Sequence, residues 1–168
     1  MDKETFAGLV IESTDSLYRV SRSILKNDAD CEDAVSEAIV KAFSNLDSLK
    51  KDEYAKTWLT RILIHECFHI RKQRKKITLF SKEGESVLEN RETAGLRDAP
   101  DMENYSELYQ VMGRLKKNQR LTIILYYYEG YSVKEIASIM EVTQGTVKSR
   151  LGRARSQLKQ YLQEEYYV

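Results

Sequence analysis

Proline occurs once in 168 residues and glycine seven times. An all-β sandwich or barrel needs turn chemistry about every eight to twelve residues, and a doubly wound sheet needs repeated short loops, so both are disfavoured. A chain of this length forms one ordinary domain or two small ones, and a mostly helical fold is the default. Cysteine is equally scarce. Cys31 and Cys67 cannot supply a disulfide framework, and each sits in a helical pattern, which predicts reduced thiols in a cytosolic setting. No apolar run reaches the length of a membrane span. The opening MDKETFAGLVIESTD is acidic and amphipathic, without a basic start followed by an apolar stretch, so the expectation is a protein that stays in the cytoplasm.

Charge is plentiful, at 32% of residues beside 42% hydrophobic, a composition suited to solvated helices around a buried core. The net charge of +1 conceals a segregated pattern. Residues 1–60 carry 8 basic and 12 acidic side chains, 61–76 carry 6 and 1, 77–104 carry 3 and 7, and 105–168 carry 10 and 6. Two basic patches alternate with two acidic stretches, which suggests contact with polyanions at two places.

Phe6, Leu9 and Val10, then Leu17, Val20 and Ile24, are spaced for two short amphipathic helices. Asp28 or Asp30 can cap a third, whose stripe is Val35, Ala38, Ile39, Ala42, Phe43 and Leu46, with Asp30, Glu32, Asp33 and Glu37 near its N-terminus, where negative charge suits the helix dipole. This is either a well-capped core helix with a wet face or a partner-binding face.

A fourth helix is expected over about Tyr54 to Lys75. At 100° per residue, Leu59, Leu63, Ile64, Cys67 and Ile70 share one side and Trp58, Arg61, His65, Phe68, His69 and Lys72 the other. The second face runs into RKQRKK at 71–76. Planar groups that stack on bases, beside cations that hold phosphates, suit single-stranded nucleic acid; the alternative is a solvated basic face with a half-buried Trp58. The same helix contains HECFH (65–69), which matches the zincin pattern of two imidazoles around a general-base Glu66. His65 and His69 are the only histidines, so a third ligand would have to be a carboxylate or a thiolate; Cys67 points away from both, and a zinc hydrolase is the weaker alternative.

Residues 77–104 break periodicity and hold Gly84, Gly95 and Pro100. They read as an acidic linker, which at about 3.3 Å per residue spans at most ~90 Å. Beyond it, Leu108, Val111, Met112 and Leu115 mark one helix, and Leu121, Ile124, Leu125 and Tyr128 a second, ended by Glu129-Gly130. Ser132 with Glu135 forms a capping box for a short helix with Ile136, Ala137 and Met140 inward. Glu141-Val142 makes a turn, and Thr143 caps a last helix with Val147, Leu151, Ala154, Leu158 and Leu162 as its stripe. This is a helix-turn-helix layout. Opposite the stripe lie Gly145, Ser149, Gly152, Arg153 and Ser156, flanked by Lys148, Arg150 and Arg155. Small residues let a helix backbone approach DNA; Arg153 is best placed to read a base edge, and Lys148, Arg150 and Arg155 to hold phosphates.

The order and spacing of these motifs resemble the extracytoplasmic-function sigma factors of bacterial RNA polymerase over nearly the whole chain. DCEDAVSEAIVKAF (30–43) is similar to their region 2.2, YAKTWLTRILIHECFHIRKQRKK (54–76) to regions 2.3 and 2.4, and YSVKEIASIMEVTQGTVKSRLGRARSQL (131–158) to region 4.2. RILIHECFHIRK is also similar to a sigma-V-like subgroup, whose members answer envelope stress and are held by membrane-anchored anti-sigma factors. The resemblance implies an all-α fold of two small helical domains, with 1–76 as region 2, 77–104 as a flexible acidic linker and 105–168 as region 4. It implies that Asp30, Asp33, Ser36 and Glu37 meet the clamp of the largest polymerase subunit, and that region 4 meets the flap of the second largest. Trp58, Arg61, His65, His69 and Lys72, with the 47–58 loop, would face melted −10 DNA. Lys148, Ser149, Arg150, Gly152, Arg153 and Arg155 would face the −35 duplex, and the acidic linker the polymerase's active-site and RNA-exit path.

Three departures from the family pattern stand out. Ser36 replaces a frequent Gln, His65 and His69 stand where Asn or Asp is usual, and Gly152 replaces a larger side chain. The role implied is a non-enzymatic specificity subunit without cofactor or small-molecule substrate, whose partners are core polymerase, promoter DNA and an anti-sigma factor. A stand-alone helix-turn-helix regulator of the LuxR type is the alternative, although it leaves the Trp58 helix and the acidic linker without a task.

Overall fold

The computed structural model describes residues 1–81 and 106–166. The described residues are helical apart from short turns, and the chain divides into two compact units. The first is built on α1 (Lys3–Arg22), α2 (Asp28–Ser44) and α3 (Ala55–Ser81), with two single 3₁₀ turns at Leu46–Ser48 and Asp52–Tyr54. The second is built on α4 (Ser106–Gly113), α5 (Lys117–Ile123), α6 (Val133–Met140) and α7 (Gln144–Tyr166); α5 runs directly into a π turn at Ile124–Tyr128.

α1 begins where the Asp2 carboxylate accepts hydrogen bonds from the Thr5 N–H and hydroxyl, both at 2.8 Å, an arrangement that holds its acidity above normal. It is one helix of 20 residues, not the two short ones that the apolar clusters suggest. Ser13 and Ser16 are buried between Phe6–Val10 and Leu17–Val20, so small hydroxyl residues complete a stripe that hydrophobicity alone shows as broken. α2 is capped by Asn27, whose side chain accepts from the Asp30 N–H at 2.8 Å; Asp28 and Asp30, the expected caps, lie inside the first turn. Its buried face is Cys31, Ala34, Val35, Ala38 and Ala42, and it packs on both α1 and α3. Alanine at three of these positions lets the helix axes approach closely.

α3 buries Leu59, Leu63, Ile64 and Cys67 as the wheel requires, with Ile70 half-buried. It continues to Ser81, five residues into the stretch read as linker. The remainder of that stretch from 82, including Gly84, Gly95 and Pro100, lies outside the described residues.

In the second unit Arg120 is buried and donates to the carbonyls of Gly113 (3.3 Å) and Leu115 (3.5 Å), supplying partners for carbonyls at the end of α4 that the helix cannot satisfy itself. The capping box of α6 is present: the Ser132 hydroxyl accepts from the Glu135 N–H (3.1 Å) and Glu135 Oε2 from the Ser132 N–H (2.8 Å). Ile136 and Ile139 are its buried residues, whereas Ala137 and Met140, expected to point inward, are half-buried. The turn into α7 places Glu141 in the left-handed region (φ 56°), and Thr143 Oγ1 accepts from the Thr146 N–H at 3.1 Å to open α7. Val147, Leu151 and Ala154 are buried; Leu158 and Leu162 are half-buried.

Candidate nucleic-acid interface

The expected −10 face of α3 divides by depth. His65, His69 and Lys72 are exposed, while Trp58, Arg61 and Phe68 are half-buried. Trp58 stands edge to face with Phe6 of α1 at 6.1 Å between centroids, and Phe6 in turn meets Phe43 of α2 at 5.0 Å. The half-buried indole is therefore tied to α1 directly and to α2 through Phe6.

HECFH is split by the same geometry. Glu66 is only 8% exposed and accepts a 2.7 Å hydrogen bond from Lys41 of α2, whose ammonium also lies 3.8 Å from Glu37. The Glu66 carboxylate raises the pKa of Lys41 above its ordinary value. Cys67 is buried, and burial pushes its thiol far up. Glu66 and Cys67 thus face inward while the imidazoles face out, and among the described residues no group of three His, Cys, Asp or Glu is arranged to hold a metal ion.

The acidic helix α2 presents Asp33, Ser36 and Glu37 to solvent, and Val40, 59% exposed, continues that row at helical spacing. Val40 escapes a sequence reading because it falls off the buried stripe, yet an exposed apolar residue beside acids suits a docking face. Asp30, also expected to meet polymerase, is turned inward within the chain. It is 4% exposed and accepts two hydrogen bonds from Arg74 of α3, Nη2 to Oδ1 at 2.7 Å and Nε to Oδ2 at 3.1 Å, with a third from Asn27 Nδ2 at 3.0 Å. The Arg74 guanidinium holds the Asp30 carboxyl below the ordinary carboxylate range. The basic tract is correspondingly reduced: Arg74 turns to Asp30, and Arg71 donates to the Ile24 carbonyl at 3.3 Å. Lys72, Lys75 and Lys76 are exposed and carry its outward charge.

On α7, Lys148, Ser149, Gly152, Arg153 and Arg155 are exposed and Arg150 is half-buried. A side-chain carbon at Gly152 would meet nothing within 4 Å, and one at Gly145 only Thr143 Oγ1 at 3.8 Å. Packing within the chain does not demand small residues there, which leaves room for an external surface to come close. Arg155 is already engaged: its Nε donates to Tyr127 Oη at 2.7 Å, and its guanidinium lies 5.8 and 5.6 Å from the rings of Tyr126 and Tyr127. Tyr127 carried no functional expectation from sequence because it reads as the end of an apolar helix.

A three-helix unit with an exposed acidic helix face and an aromatic, cationic helix, joined in one chain to a helix-turn-helix, defines the class of sigma-type transcription initiation factors. Residues 9–76 match Sigma-70 region 2, and residues 105–158 match Sigma-70, region 4. The chain is 32% identical to the ECF RNA polymerase sigma-E factor of Escherichia coli (strain K12), over 96% of this chain and 88% of that one. It is 28% identical to RNA polymerase sigma factor SigV and 29% identical to ECF RNA polymerase sigma factor SigW, both of Bacillus subtilis (strain 168), covering 97% of this chain and 96% and 91% of theirs. The chain belongs to the extracytoplasmic-function sigma factors. Its fold is also that of the sigma factor RpoE solved with the anti-sigma factor NepR from Bartonella quintana (TM-score 0.78, 24% identity, 96% of this chain and 99% of that chain), and of CnrH solved with the cytosolic domain of CnrY (TM-score 0.70, 22% identity, 98% and 91%). Family membership decides against a stand-alone LuxR-type regulator, since such a protein has no region 2.

Proposed function

We propose that this sigma factor directs core polymerase to the promoters of a cell-envelope stress response and is held in check by an anti-sigma factor. The observation that carries the division of labour is α2: Asp33, Ser36, Glu37 and Val40 form one exposed row on a helix whose other side is locked to α1 and α3. That row docks on the clamp of the largest polymerase subunit. The exposed His65, His69 and Lys72, with Arg61 and the half-buried Trp58, take up melted −10 DNA. Lys148, Ser149, Arg150, Gly152, Arg153 and Arg155 take the −35 duplex, with the flap of the second-largest subunit behind region 4. Residues 1–76 and 105–168 act as the two binding domains, and the acidic 77–104 as the tether along the RNA-exit path.

The chain acts by capture, with no catalytic group or cofactor of its own. Each base taken from the duplex costs a few kcal/mol in lost stacking and pairing, of which stacking on Trp58 and hydrogen bonds from the histidines return a part. Core polymerase supplies the remainder. Relatives of this fold have been solved with anti-sigma partners, which supports a similar partner here, and the sigma-V-like motif supports one anchored at the membrane. No helix among the described residues is long and apolar enough to cross a membrane; the reading places the factor in the cytoplasm, recruited to the membrane by that partner. Permanganate footprinting with core polymerase tests the assignment: Asp33→Lys should abolish reactivity of the −10 bases, and undiminished opening, or opening by the sigma factor alone, overturns it.

A further inference from the structure

Arg155 belongs to the proposed DNA face, yet its guanidinium is tied to an element outside the helix-turn-helix. At 100° per residue it shares one edge of α7 with Lys148, about 10 Å away along the axis, next to the buried Leu151. That edge borders α5, which packs on α7. The end of α5 is irregular. The Glu129 N–H reaches the Ile124 carbonyl across five residues at 3.0 Å, and the wider turn sets the rings of Tyr126 and Tyr127 edge to face at 4.9 Å. π turns of this kind concentrate at functional sites. The Tyr127 hydroxyl takes the Nε–H of Arg155, and the two rings flank the guanidinium. Both Nη groups, with four N–H bonds, are left uncommitted among the described residues, and Tyr127 itself is 55% exposed.

We propose that Tyr127 is a positioning residue for Arg155, holding the guanidinium by its Nε so that the Nη groups meet a backbone phosphate at the edge of the recognition helix. A hydrogen bond to Nε fixes the plane of the fork without consuming the paired donors that grip a phosphate. Held in place before DNA arrives, the side chain loses less freedom on binding than the unrestrained Lys148. The inference rests on the proposed −35 role of α7 and adds to it a residue from the π turn.

The test measures binding of holoenzyme to a promoter fragment that the wild type transcribes, across a range of salt. Tyr127→Phe removes only the hydroxyl and should weaken binding about three- to tenfold. Arg155→Ala should lower the slope of log K against log salt by about 0.9, one phosphate contact. In the Arg155→Ala background Tyr127→Phe should have no further effect, and its thermal midpoint should match the wild type. Wild-type binding by Tyr127→Phe overturns the proposal, as does an additive loss in the double variant, which would mean that Tyr127 acts by itself. An unchanged salt slope for Arg155→Ala also overturns it, while leaving the −35 role of α7 intact if Lys148→Ala and Arg153→Ala still impair binding. If none of the three α7 variants changes binding, the −35 role falls as well.

Discussion

Asp30 and Arg74 join α2 to α3 through two parallel hydrogen bonds of 2.7 and 3.1 Å, so these two helices of the sigma factor are braced by a charge pair drawn from both. The pair consumes one cation of RKQRKK and one acid of DCEDAVSEAIVKAF. Its geometry is the fork-to-fork arrangement that only arginine provides.

Acid should weaken the first unit through this pair. Arg74 holds the folded-state pKa of Asp30 below that of the unfolded chain, so its contribution is present above about pH 4 and is lost as pH falls through the folded-state value. Asp30→Ala should lower stability at pH 7 by about 2 kcal/mol, the scale of a buried hydrogen bond to a charged group, and by much less near pH 3. Urea unfolding followed by the fluorescence of Trp58, the only tryptophan, checks both values. An equal loss at the two pH values would contradict the assignment.

Two residues of the second unit have positive φ and should respond in opposite directions. Gly130 (φ 72°) has open space around it, so Gly130→Ala should cost about 1 kcal/mol through backbone strain alone. Glu141 (φ 56°) already bears that strain in the helix-turn-helix turn, and Glu141→Gly should gain up to about 1 kcal/mol. Thermal unfolding monitored by circular dichroism measures both.

The two thiols should be inert in the folded protein. Burial raises the pKa of both Cys31 and Cys67, so little reactive thiolate is present near neutrality. A chromogenic disulfide reagent at pH 8 should label neither until denaturant is added, and then both. Rapid labelling of the native chain would show that the α2–α3 seam opens.

On the recognition helix, Arg153→Ala should cost about 1 to 3 kcal/mol on cognate DNA and relax preference at one base step. Lys148→Ala should weaken all sequences alike and flatten the salt dependence. Binding to a panel of single-base promoter variants separates the two; identical profiles would remove the distinction between reader and phosphate holder.

Local sequence determined what depends on neighbours along the chain. The Ser132–Glu135 capping box, the stripe of Val147, Leu151 and Ala154, the two faces of α3 and the family motifs were all legible, because helical periodicity and capping are set by residues three or four positions apart. Only the tertiary structure decided which polar residues are spent on one another. Asp30 and Arg74, 44 positions apart, Lys41 and Glu66, 25 apart, and Tyr127 and Arg155, 28 apart, are each joined by a hydrogen bond between elements. A charged side chain on a helix reads the same whether it faces solvent, DNA or a partner on the next helix. The difference lies in the packing of α2 on α3 and of α5 on α7, which brings its counter-group within 3 Å.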